Sequence, residues 1–336
     1  MAFAPTLGSL SVSAQLQSFG TRLRERVNEH AAELATGRVQ DPARHLAGNI
    51  GKLAIVEAKL SRNEAESRVT AQALDTLSGV QTTLGHVTTL MERNKGALMT
   101  LVSVSASDQE IAQTARAAAL DLQQMISALS VSQSGRNLFS GAASDHPPLP
   151  DAEALLQAAA NTIPPNATAS ETLAALDSFF ALPGGDFALS IYSGDAGVRL
   201  TPVAPGLHME LPTALHPAIV GALRDATLTA ILDHPDATID PDQKSALADL
   251  IMQRQLQTIE GMIGLRGELG SWEAVISDRD RMLKSEQNQS ELRRTALVGA
   301  DPYLAANRLE EARTQLEALY LVTARVARLS LTEYLR

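Results

Sequence analysis

Seven histidines are the side chains whose type best suits them to bind a metal or move a proton near neutral pH, and the chain scatters them. His208 and His216 stand nearest to each other, in a proline-rich stretch that offers no third ligand. Asp233 and Asp236 are spaced so that their carboxylates could hold a hard cation. An acidic pair within an acidic segment reads more simply as solvated surface. No cysteine is present, which removes disulfides, thiolate metal sites and a cysteine nucleophile. The chain contains no G-x-x-x-x-G-K-[ST], G-x-S-x-G, H-E-x-x-H or G-x-G-x-x-G, so phosphate-loop, nucleophile-elbow and zinc-helix chemistry have no carrier. Ser134-Gly135 and Ser140-Gly141 read as a helix stop before a domain boundary rather than as a catalytic loop. These residues predict no enzyme, no metal and no cofactor.

What remains is association chemistry, and it belongs to the elements that carry apolar stripes. At 336 residues the chain can build two or three domains. It is 45% hydrophobic but only 3% aromatic, with one Trp. A core of Leu, Ala, Val and Ile suits interdigitating helices better than a β-sandwich. The net charge is −10, and residues 142–240 hold twelve acidic against two basic residues, with eleven of the fifteen prolines. That segment is a distinct middle domain between two charge-balanced arms. An acidic chain without a basic patch predicts no nucleic-acid partner. The N-terminus lacks a secretory signal, and no apolar run is long enough to span a bilayer, so a soluble chain with no membrane insertion is expected.

The arms read as helices. Leu16, Phe19, Leu23, Val27, Ala31 and Leu34 form a stripe that stops near Thr36-Gly37, where Gly37 can adopt a left-handed C′ conformation. Asp41-Pro42 marks a possible restart. From Leu53 a heptad runs through Val56, Leu60, Leu74, Leu77, Leu84, Met91 and Leu98, predicting a helix of roughly 45 residues. Ser107-x-x-Glu110 is a capping-box pattern ahead of a stripe at Ile111, Ala115, Ala118, Leu122, Met125 and Leu129, in a helix expected to end near Ser134-Gly135. In the middle domain, residues 155–160, 170–180 and 217–234 read as helices, and 187–192, 198–203 and 207–211 alternate like strands. A further helix is expected from near Asp242 to near Val298, with Met262, Leu265, Leu269, Trp272, Ile276 and Leu283 in its stripe. Asp301-Pro302 opens the closing helix, whose stripe is Leu309, Ala312, Leu316, Leu319, Thr323 and Val326. Two amphipathic helices at the chain ends have little core of their own and need partners.

The quoted stretches also resemble a family. LATGRVQDPARHLAGNIGKLAIVEAKL is similar to the flagellin-type passage from terminal helix to long helix, and SGRNLFSGAASDHPPL to the glycine–aromatic–Ser-Gly exit from the third helix. IYSGDAG with HPAIVGALRDATL resembles the variable domain, and LEALYLVTARVARLSLTEYL the closing helix. The chain thus resembles the flagellin family, most closely its hook–filament junction branch, the type-3 hook-associated proteins. The resemblance implies a secreted structural subunit, exported without a cleaved signal peptide through the flagellar type III apparatus. Its implied partners are copies of itself, neighbouring hook-associated proteins and flagellin, and a flagellar export chaperone on the C-terminal helices. A filament flagellin and an intracellular coiled-coil scaffold remain as other readings.

The expected fold is mainly α: an elongated antiparallel helical bundle and coiled coil built from both chain ends, with an inserted smaller α+β domain. Its divisions are residues 1–37 and 300–336 as terminal coiled-coil helices, 38–141 and 241–299 as bundle halves, and 142–240 as the acidic insert. Self-assembly is assigned to Leu16, Leu23, Val27, Leu34, Leu309, Leu316, Leu319, Val326 and Leu329.

Overall fold

The computed structural model describes residues 7–103 and 107–334, with side chains at 14–102, 107–326 and 328. Among the described residues the chain is mainly helical with two small antiparallel sheets, and it divides into two compact units, Met1–Glu64 with Lys284–Arg336, and Ala65–Leu283.

The first unit contains α1 (Leu7–Thr36), α2 (Pro42–His45), the beginning of α3 (Gly51–Ser103), the end of α8 (Lys244–Val298) and α9 (Pro302–Tyr334). The expected punctuation operates. Gly37 has φ +66° and donates its N–H to Glu33 O at 2.9 Å, ending α1 in the left-handed conformation that glycine adopts without a Cβ penalty. Asp41 caps α2 by accepting from Arg44 N at 2.9 Å. Asp301 Oδ1 accepts from Tyr303 N at 2.8 Å and Leu304 N at 3.2 Å, with Pro302 at the first helical position. A short antiparallel bridge, Val39 N to Val298 O at 3.0 Å and Ala300 N to Gly37 O at 2.9 Å, holds the end of α1 beside the start of α9, and the two helices pack on each other. Lys59 on α3 pairs with Glu286 on α8 at 3.3 Å.

The second unit is built on the remainder of α3 and α8, which run antiparallel: Arg279 donates to Glu66 Oε1 at 2.7 Å, and Gln81 Nε2 to Arg266 O at 2.9 Å. Against them pack α4 (Asp108–Leu129) and α7 (Pro217–Ile231), and α4 opens on a complete Ser107–Glu110 capping box. Leu77, Leu84, Met91, Leu98, Leu122, Met125 and Leu129 are fully buried, as the heptads require. The acidic segment adds α5 (Ala152–Ala160), α6 (Ala169–Phe179) and a hairpin of β3 (Arg199–Ala204) and β4 (Leu207–Leu211). Few as the aromatics are, Phe179, Phe180 and Phe187 gather in this core, with neighbouring ring centroids 4.9 Å apart.

Two local expectations are corrected. Residues 187–192 are not a strand: Phe187–Ile191 form a π-helical turn closed by Tyr192 N to Phe187 O at 2.8 Å. The two buried side chains are Phe187 and Tyr192, five residues apart, so burial follows the i, i+5 turn and Leu189 is left outside. The third helix ends at Leu129 rather than near Ser134-Gly135. Ser134 (φ +52°) and Gly135 (φ +75°) instead form the two-residue turn of a hairpin between β1 (Ser132–Gln133) and β2 (Arg136–Asn137), the conformation that matches strand twist. The long helix expected from near Asp242 to near Val298 is α8, entered through a 3₁₀ turn at Pro241–Gln243.

Candidate assembly interface

The terminal pair α1–α9 carries the residues assigned to self-assembly. Leu23 and Leu309 are buried, and Leu16, Val27, Leu316 and Leu319 are half-buried. Gly20 is buried in the same seam, where a Cβ would lie 3.4 Å from Leu319 Cδ2, so α9 approaches α1 closely at that point. Leu34 and Val326 have left the seam and are exposed. The side chain of Leu329 lies outside the described residues, as do all those of the Leu-Ser-Leu-x-x-Tyr-Leu finish. The drift has a geometric cause: a straight helix rotates by about 20° per heptad away from a 3.5-residue repeat, so a stripe that starts in the seam leaves it.

Beyond the seam, α9 is apolar where a lone pair of helices would be polar. Tyr320, Leu321 and Val322 are 52%, 73% and 51% exposed, consecutive residues that together cover the side turned away from half-buried Leu319 and Thr323. Around residues 319–326 the helix therefore presents aliphatic or aromatic surface on almost every side. A helix apolar all round requires cover on all sides, and α1 covers one. On α1, Phe19 is also exposed, with the Arg22 guanidinium 5.2 Å from its ring centre.

A polar latch fixes the base of this pair. Glu33, buried on α1, accepts from Gln40 N at 3.2 Å and is hydrogen-bonded to His30 Nδ1 at 2.9 Å. Burial pushes the Glu33 carboxyl up, but these hydrogen bonds, with the charges of His30 and Arg308, outweigh it and hold the group below the usual carboxylate range. Sequence patterning passed over Glu33 and selected Leu34 beside it.

In the second unit two of the passages quoted for the family likeness, SGRNLFSGAASDHPPL and IYSGDAG, dock on one another, and Ala214 in the link before α7 joins them. Asp195 N donates to Ser140 O at 2.9 Å, Ala214 N to Phe139 O at 2.9 Å, and Tyr192 Oη to Asp195 O at 3.1 Å. Burial pushes the Tyr192 hydroxyl up to about 12, so it stays a donor. Gly141 (φ +65°) sits against the carbonyl oxygens of Asp195 and Gly197, where no side chain fits. Asp225 is fully buried on α7, accepting from Arg224 Nη2 at 2.9 Å and Thr258 Oγ1 at 2.6 Å; burial pushes its carboxyl up against the pull of those two partners. Neither feature has a sequence signature, because each joins residues from separate elements.

The candidate chemical residues are occupied structurally. His216 caps α7 by accepting from Ala218 N, and burial lowers its pKa, which favours the neutral acceptor. Exposed His208 lies on β4. Asp233 pairs with Arg116 at 3.7 Å, and Asp236 N donates to His234 Nδ1. Among the described residues no three His, Asp or Glu side chains gather as a metal site, and no described helix is long and apolar enough to cross a membrane.

No protein-family model and no curated protein sequence matches this chain. Solved structures do. The crystal structure of Bacillus cereus FlgL matches with a TM-score of 0.53 and 12% identity, over 71% of this chain and 98% of that one. A Vibrio parahaemolyticus protein described as a flagellar hook-associated protein matches with a TM-score of 0.54 and 17% identity, over 76% of this chain and 98% of that one. At such identities the likeness is one of fold.

Proposed function

We propose that this chain is a structural subunit of the bacterial flagellum, a hook-associated protein that joins hook to filament by polymerising through its terminal helices. The observation that carries the reading is the apolar surface of α9 at Tyr320, Leu321 and Val322, which the described residues leave exposed. The fold likeness to two flagellar proteins supports the setting, and the sequence resemblance supports the junction branch. On this reading the chain acts outside the cell, exported without a cleaved signal peptide. Its partners are copies of itself, the adjoining hook-associated proteins and flagellin, and an export chaperone that holds the C-terminal helices beforehand. The acidic segment, 142–240, is an insert within the second unit.

Leu321→Asp tests the assembly step. The side chain is exposed, so stability of the isolated chain should change by no more than about 0.5 kcal/mol, while incorporation into flagella is lost. Normal incorporation of this variant would overturn the reading. Immunogold labelling of flagella tests the location: a short ring at the filament base is expected, and label along the whole filament would make the chain a flagellin instead.

A further inference from the structure

Two apolar surfaces of opposite charge lie outside everything described so far. In the second unit, a groove of about 690 Å³ is lined by Leu182, Leu189, Val198, Leu265 and Trp272. Its charged lining residues are Glu210 and Glu268, both exposed and neither in an ion pair among the described residues. Leu189 is 72% exposed and Val198 51%. In the first unit, α3 and α8 flank an apolar patch of about 400 Å³ at Ile55, Val56, Ala296 and Leu297. Its charged lining residues are Lys52 and Arg293, again exposed and without an ion-pair partner among the described residues. Ile55 and neighbouring Leu292 are each 72% exposed.

We propose that the groove of one copy receives the Ile55–Arg293 patch of a second copy, so that copies join head to tail. Apolar surface of this kind marks interaction sites on soluble proteins. Carboxylates rim one surface and cations the other, so each supplies the charge the other lacks, and like surfaces repel. Two different surfaces meeting in this way make a heterologous contact, which propagates into rings or open filaments where a self-complementary one stops at a dimer. The inference rests on reading the chain as a polymer subunit and adds a contact separate from the terminal helices.

The chain has no cysteine, so disulfide trapping has a clean background. Leu189→Cys and Ile55→Cys full-length chains are purified separately, checked for unchanged helicity, then mixed under mild oxidation. Covalent dimers are expected in the mixture and in neither chain alone. Equal dimer yield from either chain alone would mean a self-complementary contact and overturn the proposal. So would a mixture yield no higher than that of Leu189→Cys with Ile263→Cys, an exposed control site on α8. Adding Glu268→Lys to the first chain should cut the yield roughly two- to fivefold, the scale of an exposed ion pair, and adding Arg293→Glu to the second should restore it. A loss that is not restored refutes the charge pairing. Electron microscopy of the same samples separates the two readings: polymer without the cross-link sinks this contact alone, and cross-link without polymer sinks assembly through the terminal helices alone.

Discussion

Gly141→Ala should be among the most damaging single-methyl changes in the second unit. Two effects add. At φ +65° an L-residue pays about 1–2 kcal/mol for its Cβ. The new Cβ would also fall against Asp195 O and at 2.8 Å from Gly197 O, neither of which is the end of a flexible side chain. Backbone there must move, weakening the hydrogen bonds of Asp195 N to Ser140 O and of Tyr192 to Asp195 O at about 1 kcal/mol each. The sum is roughly 2–4 kcal/mol. For a unit of this size each kcal/mol lowers Tm by about 2–4 °C, so a fall of roughly 5–15 °C is expected. Trp272 is the only tryptophan and lies in this unit, so its emission during heating follows the relevant transition. Gly135→Ala is the control. That glycine also has positive φ, at +75°, but nothing lies within 4 Å of its Cβ position, so it carries the conformational term alone. If Gly141→Ala is no more destabilising than Gly135→Ala, the docking of the two passages contributes nothing and the reasoning fails.

Two further perturbations follow. The Glu33 pKa is lowered on folding, so its contribution is complete above the ordinary value of 4.5 and is lost as the pH falls below that through the folded value; Glu33→Gln should flatten the acid-side decline in thermal stability followed by helicity, and slopes identical to those of the parent would refute the latch. Gly264, Gly267 and Gly270 lie inside α8 with nothing within 4 Å of their Cβ positions, so Ala at each should stabilise by about 1 kcal/mol, read as a higher guanidinium midpoint; an unchanged or lower midpoint would contradict that.

Helix starts were legible because each is written locally. Ser107 with Glu110, Asp41 with Pro42, and Asp301 with Pro302 need only three or four consecutive residues to satisfy orphan N–H groups. Long heptads were legible for the same reason, since Leu77, Leu84, Met91 and Leu98 recur at one spacing. The passage 187–192 was misread because apolar residues at 187, 189 and 191 satisfy a strand pattern, whereas the aromatic cluster recruits Phe187 and leaves Leu189 in solvent. For the terminal helix pair, patterning picked out Leu23 and Leu309, which are buried there, but passed over Gly20 and Glu33, buried as well. A glycine has no hydrophobic signal, and a carboxylate registers as surface until its hydrogen-bond partners are known. Asp225 was invisible in the same way, because Thr258, which helps to make its burial tolerable, stands on another helix.

The pairing of α1 with α9 also fixes an order of events. The two helices are separated by nearly the whole chain, so α1 leaves the ribosome long before the residues that cover Leu23 and Val27 exist. Closing so long a loop adds little to the equilibrium cost, since each doubling of length adds only about 0.6 kcal/mol. Its effect is on timing: contacts of high sequence separation form late. Throughout synthesis the seam of α1 is open to any other helix that reaches it first, and the same competition returns whenever the pair separates.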